Sequence, residues 1–243
     1  MNNLEVIAEN YEAMHDDWKD LEKIVRRKEF NNLIEFCSES HQRVIEFGLG
    51  DGVFTSMLCE KFDSVTAVDA AQTTIDILSK ELKFDNITFE QSYIEDYCSE
   101  IKYDVIVMSH ILEHLTDPIL ALEKVSHLMH EETIIYISVP NANSLHRLVA
   151  VKMGLLKRTD SLNQRDLDLG HKIVFSPQSF KATVEKSGLK IYHFGGVMIK
   201  PLTNSQIVND WSLDIINGFI ALGDDLPDFC GDIYVLAKKN NEK

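Results

Sequence analysis

Val44-Ile45-Glu46-Phe47-Gly48-Leu49-Gly50-Asp51-Gly52, followed by Val65-Thr66-Ala67-Val68-Asp69, decides the fold. The first run is apolar and breaks into three alternating glycines. Such a run reads as a buried parallel strand entering a tight turn. Glycine permits the sharp turn and lets a ligand lie against the backbone with no Cβ in the way. Val53 to Lys61 then reads as a helix with Val53, Met57, Leu58 and Phe62 on one side. Its free N–H groups aim at whatever rests on the turn. Asp69 closes the second run, where a strand-end carboxylate can accept hydrogen bonds from a ribose diol.

Spacing separates the nucleotide ligands. A dinucleotide fingerprint G-x-G-x-x-G needs a third glycine where Val53 stands. Here that glycine comes early, at Gly52, and Glu46 lies inside the strand end. The pattern E-x-G-x-G-x-G with an acidic strand end resembles the first two motifs of class I S-adenosylmethionine-dependent methyltransferases. Further on, Tyr103-Asp104-Val105-Ile106-Val107-Met108-Ser109-His110 reads as a strand and continues into Ile111-Leu112-Glu113-His114-Leu115-Thr116-Asp117-Pro118. This resembles the fourth-strand motif of the small-molecule methyltransferases, including the ubiquinone-biosynthesis O-methyltransferase group. The resemblance covers nearly the whole chain and is strongest from Val44 to Pro140.

The resemblance implies S-adenosylmethionine as cofactor. It puts Glu46, Gly48 and Gly50 along the methionine portion and Asp69 at the ribose. Tyr93 and Ile94 are the adenine-stacking candidates, with Glu95 as a polar neighbour, and Ala70 and Ser109 complete the cofactor set. Tyr11 and Trp18 are aromatics in a region where such enzymes bring a tyrosine near cofactor or acceptor.

The expected fold is a doubly wound, mostly parallel seven-stranded α/β sheet of the Rossmann-like methyltransferase kind. The chain reads as a single domain over 1–243, in four parts. These are a helical cap (1–40), a cofactor-binding core (41–140), a lid and acceptor region (141–176), and a C-terminal part with a helical insertion (177–243). Within the cap, Leu21, Ile24, Val25, Phe30, Leu33, Ile34 and Phe36 recur near helical spacing. Ala142 to Leu156 reads as an extra helix, a lid or a dimer surface, and Lys157 to Gly170 as a polar loop. Ser176 before Pro177 reads as a helix cap. An antiparallel closing strand, Asp232 to Ala237, is what the family implies.

Whole-chain properties bound the function. The formal net charge of −15 argues against nonspecific nucleic-acid binding. The first residues lack the apolar segment of a signal peptide, and no run reaches the ~18 apolar residues that span a bilayer. Cys37, Cys59, Cys98 and Cys230 are scattered, as in reduced cytoplasmic proteins. A cytoplasmic enzyme is expected, with no nucleic-acid or membrane partner and with a homodimer as an open possibility.

Methylating a hydroxyl requires removing its proton, and histidine titrates in the right range without tuning. His110 ends the fourth strand, outside whose carboxyl end ligands bind in such sheets. It is the first candidate for the acceptor-side base and His171 the second; His114 and His146 fall in the same region. His110-Ile111-Leu112-Glu113-His114 also matches H-x-x-E-H, the inverted zinc-protease pattern. Its position directly after a strand, with Pro118 close behind, argues against that reading, so no metal is expected. The reading is methyl transfer to a small-molecule acceptor: O-methylation of a sugar, sugar nucleotide or phenolic metabolite. The alternatives are N-methylation of a small amine, transfer of another cofactor group, or a non-catalytic S-adenosylmethionine-binding partner subunit.

Overall fold

The computed structural model describes Glu5 and residues 19–240. Tyr11 and Trp18, and most of the expected cap before Lys19, lie outside the described residues. The central sheet contains β1 (Arg43–Phe47), β2 (Ser64–Asp69), β3 (Ile87–Gln91), β4 (Tyr103–Ser109), β5 (Met129–Pro140), β6 (Leu189–Gly196) and β7 (Asp232–Lys239). Their order is β3-β2-β1-β4-β5-β7-β6. Strands β1 to β5 run parallel, and β7 lies antiparallel between β5 and β6. The family's antiparallel closing strand is therefore present.

Period-two alternation distributes the strand side chains between two helical layers. Ile45, Phe47, Ile106, Met108, Ile135 and Ile137 pack on one face with Leu122, Val125, Phe180 and Val184. The last four belong to α4 (Pro118–Ser126) and α7 (Pro177–Lys186). Val44, Val65, Val105, Val107, Ile134 and Tyr136 pack on the other face with Leu33, Phe54 and Leu58. These three come from α1 (Lys19–Ile34) and α2 (Val53–Lys61). Burial on both faces explains why the strands read as continuous apolar runs.

The face of α2 matches the expected one in part, with Leu58 and Phe62 buried as expected. Phe54, Thr55, Leu58 and Cys59 are its buried residues, not Val53 and Met57. In so short and apolar a helix, several faces satisfy the same periodicity, and packing against Phe30 and Tyr136 selects the one that carries Phe54.

Local signals place the remaining elements. The Asp117 side chain accepts from the Leu120 N–H, with Pro118 opening α4. Ser176 caps α7 with Pro177 in its first turn, as expected. The extra helix is shorter than the expected 142–156: α5 covers Leu145–Lys152. Gly154 takes a left-handed φ of 75°, and the Leu155 and Leu156 N–H groups fold back onto the Ala150 carbonyl. The expected polar loop contains a short helix, α6 (Gln164–Asp168), fixed by a capping box between Asn163 and Asp166. Between β6 and β7 run α8 (Asn204–Asp210) and α9 (Leu213–Asp225), preceded in chain order by α3 (Gln72–Glu81) on the β2–β3 connection. Leu21 of α1 joins Met198, Ile207 and Ile216 in a separate apolar cluster, and Lys28 pairs with Asp224 at 2.9 Å. The cap helix thus packs on the α8–α9 insertion as well as on the sheet.

Candidate active site

β1 pairs with β2 on one side and β4 on the other, so the chain reverses its winding direction between β1 and β4. Ligands of open α/β sheets bind in the crevice beyond the strand ends at such a point. A cavity of about 830 Å³ lies there, a size suited to a small-molecule site. All ten residues singled out in the sequence line it: Glu46, Gly48, Gly50, Asp69, Ala70, Tyr93, Ile94, Ser109, His110 and His171.

One half of the cavity is built on the glycine turn. Gly48, Gly50 and Gly52 all have left-handed φ, at 77°, 52° and 73°. A Cβ on Gly48 would stand 2.7 Å from Cδ1 of Ile111, so any side chain there would push the Ile111 tip aside as well as straining the backbone. Asp69 accepts from the Leu49 N–H at 2.9 Å through Oδ2 and from the Ala71 N–H at 2.8 Å through Oδ1. The two backbone donors fix the carboxylate between the two turns and leave lone pairs on both oxygens. Burial raises its pKa, against the pull of those N–H donors. Glu46 is 1% exposed, and its Oε2 is buried without a hydrogen-bond partner. Burial raises its pKa to about 8, with Asp51 and Asp69 adding to the shift. Ile94 is buried and Tyr93 exposed on the next turn. Ser109 shares a hydrogen bond with Ser138 at 3.0 Å. The glycine cradle, the strand-end carboxylate and the orphaned Glu46 oxygen together fit a nucleoside with a cationic amino-acid tail.

The other half is a cluster of histidines and carboxylates. His110 takes a φ of 54°, the one positive value of a non-glycine among the described residues. Its Nδ1 lies 3.5 Å from Glu113 Oε1, and its Nε2 lies 3.5 Å from Glu29 Oε1 and 4.0 Å from Asp232 Oδ1. Burial and the Arg26 guanidinium oppose a charge on the ring; the three carboxylates overcome them and raise its pKa to about 9. Glu29 is fully buried; burial opposes its charge, but Arg26 and His110 hold it down at about 2. Both His110 nitrogens face carboxylates, a setting that favours the protonated ring.

His171 has a different setting. Its Nδ1 lies 3.4 Å from Asp166 Oδ1, and its ring meets that of His114 edge-on at 4.8 Å. Asp166 is itself anchored: its carboxylate pairs with Arg147 at 3.1 Å and accepts from the Asn163 N–H at 2.9 Å. Burial opposes that charge, and His171, Asn163 and Arg147 hold the pKa near 2. Burial also lowers the pKa of His114, and that of His146 to about 3, where Lys200 and Arg147 add to the effect. Glu113, His114 and His171 bring one ligand atom each within 4.8 Å of one another. Neither Glu113 oxygen receives a hydrogen bond, although both are buried.

The zinc-protease reading of the H-x-x-E-H pattern does not survive. Leu112–His114 is a single 3-10 turn rather than part of a long helix, and His110 precedes it in a left-handed conformation. The residues that sequence reasoning missed are Arg26, Glu29, Asp166 and Asp232. Each approaches the histidines from a distant segment; the only local signals are the Arg26–Glu29 spacing of three and the Asn163–Asp166 capping pattern.

Fold and site together define a Rossmann-like, S-adenosylmethionine-dependent methyltransferase. The chain belongs to a family described as "methyltransferase domain", whose model matches residues 21–193. It is 24% identical over 221 residues to the ubiquinone biosynthesis O-methyltransferase of Pseudoalteromonas translucida, covering 86% of this chain and 92% of that protein. Among solved structures it is similar to a methyltransferase of Thermotoga maritima described as a possible histamine N-methyltransferase. There the TM-score is 0.66 at 14% identity, over 97% of this chain and 99% of that one. It is also similar to the N-methyltransferase NodS of Bradyrhizobium japonicum, solved with S-adenosyl-l-homocysteine. That TM-score is 0.55 at 13% identity, over 93% of this chain and 99% of that one. The cofactor is S-adenosylmethionine. Among the described residues, no helix is long and apolar enough to cross a membrane.

Proposed function

We propose that this enzyme methylates a hydroxyl group of a small-molecule acceptor, a sugar, sugar nucleotide or phenolic metabolite, in the cytoplasm and as a homodimer. The Asp166–His171 pair, which lines the same cavity as the glycine turn, carries this reading. When bound, the cofactor supplies a sulfonium-activated methyl group. Glu46, Gly48, Gly50, Asp69 and Ala70 hold its amino-acid and ribose parts, with Tyr93, Ile94 and Ser109 around the remainder. Forming the new oxygen–methyl bond requires the acceptor proton to leave. His171 is the better base: Asp166 lies 3.4 Å from its Nδ1 and, by accepting the Nδ1–H, would leave Nε2 to take the acceptor proton. His110, first choice on sequence position, acts instead as a fixed positive charge among Glu29, Glu113 and Asp232.

The test is S-adenosylhomocysteine formation across an acceptor panel, with cofactor binding measured by calorimetry. His171→Asn should lower turnover by about 10²–10⁴-fold with cofactor affinity unchanged, and Asp166→Asn should follow in the same direction. Full turnover in His171→Asn removes the base. No S-adenosylhomocysteine with any acceptor would favour a non-catalytic binding subunit, and turnover confined to amines would favour N-methylation.

A second reading is favoured by the two unpartnered Glu113 oxygens. A divalent cation held by Glu113, His114 and His171 would bind the acceptor oxygen and lower its pKa, so that no base is needed. Metal analysis separates the two readings. Stoichiometric metal that is lost in Glu113→Gln supports the cation, and full activity of metal-free protein sinks it.

A further inference from the structure

Apolar exposure is concentrated in two places. Of seventeen exposed large apolar side chains among the described residues, five lie on 149–167 and seven on 202–229. Clusters of this kind mark interaction surfaces, whereas single exposed apolar residues do not. Both segments border the same cavity, one through Asn163 and Arg165, the other through Thr203 and Asn204. The His146 N–H, at the start of α5, donates to the Lys200 carbonyl just before the second segment.

Neither patch is a frayed loop. Met153 and Leu155 are 66% and 70% exposed, yet the Leu155 N–H is bonded to Ala150. The buried Arg147 guanidinium also ties that segment together through the Thr159 and Ser161 carbonyls. Helix α9 is apolar on two sides. Ile216, Phe219 and Ile220 face the cluster with Leu21, while Leu213, Ile215 and Leu222 are exposed. Apolar side chains left exposed on the far side of a helix already packed on the core belong to a surface that a partner can cover.

Charge tells what covers them. Residues 149–167 hold four Lys and Arg against two Asp, a net +2, while the rest of the chain carries −17. Residues 201–229 hold five Asp and no Lys or Arg, a net −5. One apolar patch is basic and the other acidic. An anionic lipid surface would suit the first and repel the second, which borders the same opening. A second copy of the chain suits both.

We propose that two copies associate with the basic 149–167 surface of each packed on the acidic 202–229 surface of the other. This rests on the homodimeric part of the reading above and specifies its contact. A two-fold axis makes the contact twice, and each cavity mouth then faces the partner.

Charge reversal tests the pairing by sedimentation velocity at low and high salt. The wild type is expected to be dimeric and to weaken with salt. Lys152→Glu/Lys157→Glu makes both surfaces acidic, and Asp214→Lys/Asp225→Lys/Asp228→Lys takes the second surface from −5 to +1, basic like the first. Each variant alone should be monomeric, while an equimolar mixture should dimerise, because both contacts again join opposite signs. The neutral pair Lys152→Gln/Lys157→Gln should weaken the dimer in the same direction. Circular dichroism and S-adenosylhomocysteine binding verify folding. A monomeric wild type overturns both the dimer and its contact; if it also binds anionic vesicles, the basic patch belongs to lipid. A wild-type dimer matched by all variants, or a mixture that stays monomeric, overturns the contact and leaves the dimer standing. None of these outcomes bears on methyl transfer, which the turnover assay reads separately.

Discussion

Glu46 gives the chain a measurable dependence on pH. It sits in β1 between Ala67 of β2 and Val107 of β4, 1% exposed, with one oxygen unpartnered. Burial, with Asp51 and Asp69 behind it, lifts its pKa from 4.5 to about 8. The folded chain then holds a proton that the unfolded chain releases between those two values. This stability contribution is complete below pH 4.5 and is lost as pH rises toward 8. At about 1.4 kcal/mol per pH unit, the interval from pH 5 to 8 corresponds to about 4 kcal/mol. Glu46→Gln keeps the shape of the protonated acid and removes the linkage. Urea unfolding of cofactor-free protein at several pH values should show the variant gaining about 4 kcal/mol on the wild type between pH 5 and pH 8. A cofactor that places its ammonium against Glu46 should also expel the proton. Calorimetry at pH 7 in two buffers of different ionisation enthalpy should therefore detect proton release in the wild type and none in Glu46→Gln. Parallel stability curves for the two proteins would refute the reasoning, because the proton would then not be held in the folded state.

Other substitutions test the frame around the cavity. Gly48→Ala combines a left-handed φ with a Cβ 2.7 Å from Ile111 Cδ1; a cost of about 1–2 kcal/mol for the backbone alone and weaker S-adenosylhomocysteine binding are expected in calorimetry. Unchanged affinity would show that the ligand does not approach that turn. Phe180 is completely buried between α7 and the sheet, and Phe180→Ala should cost about 3–5 kcal/mol in urea unfolding. Asp117→Ala removes the side-chain cap of α4 and should cost about 1 kcal/mol while leaving turnover by folded protein intact.

Much of this molecule was legible because its information is local. Strands buried on both faces must be apolar at every position, so β1, β2 and β4 could be read as runs, and the glycine turn follows directly from β1. Residues at the carboxyl ends of those strands share one crevice by topology alone, which is why Glu46, Asp69, Ser109 and His110 fall together. Two kinds of information were not local. Amphipathic pattern does not choose among faces in a nine-residue helix with apolar residues on several sides, and the periodicity that places Val53 inward in α2 gives way to packing that selects Phe54. Ionisation belongs to neighbourhoods rather than to residues. The expectation for His110 used the intrinsic value of a histidine at a strand end. Glu29, eighty-one positions earlier on α1, together with Glu113 and Asp232, surrounds its ring and raises its pKa. At His171, Asp166 lies 3.4 Å from Nδ1, and Glu113 and His114 each bring a ligand atom within 4.8 Å of the ring. The two histidines are the same chemical type in the same cavity, and the difference in role proposed for them rests on the carboxylates around each. That difference is set by α1 and by the 141–176 segment, where sequence reading was least informative, and it is why exchanging a histidine and exchanging its carboxylate partner should have matching effects on turnover.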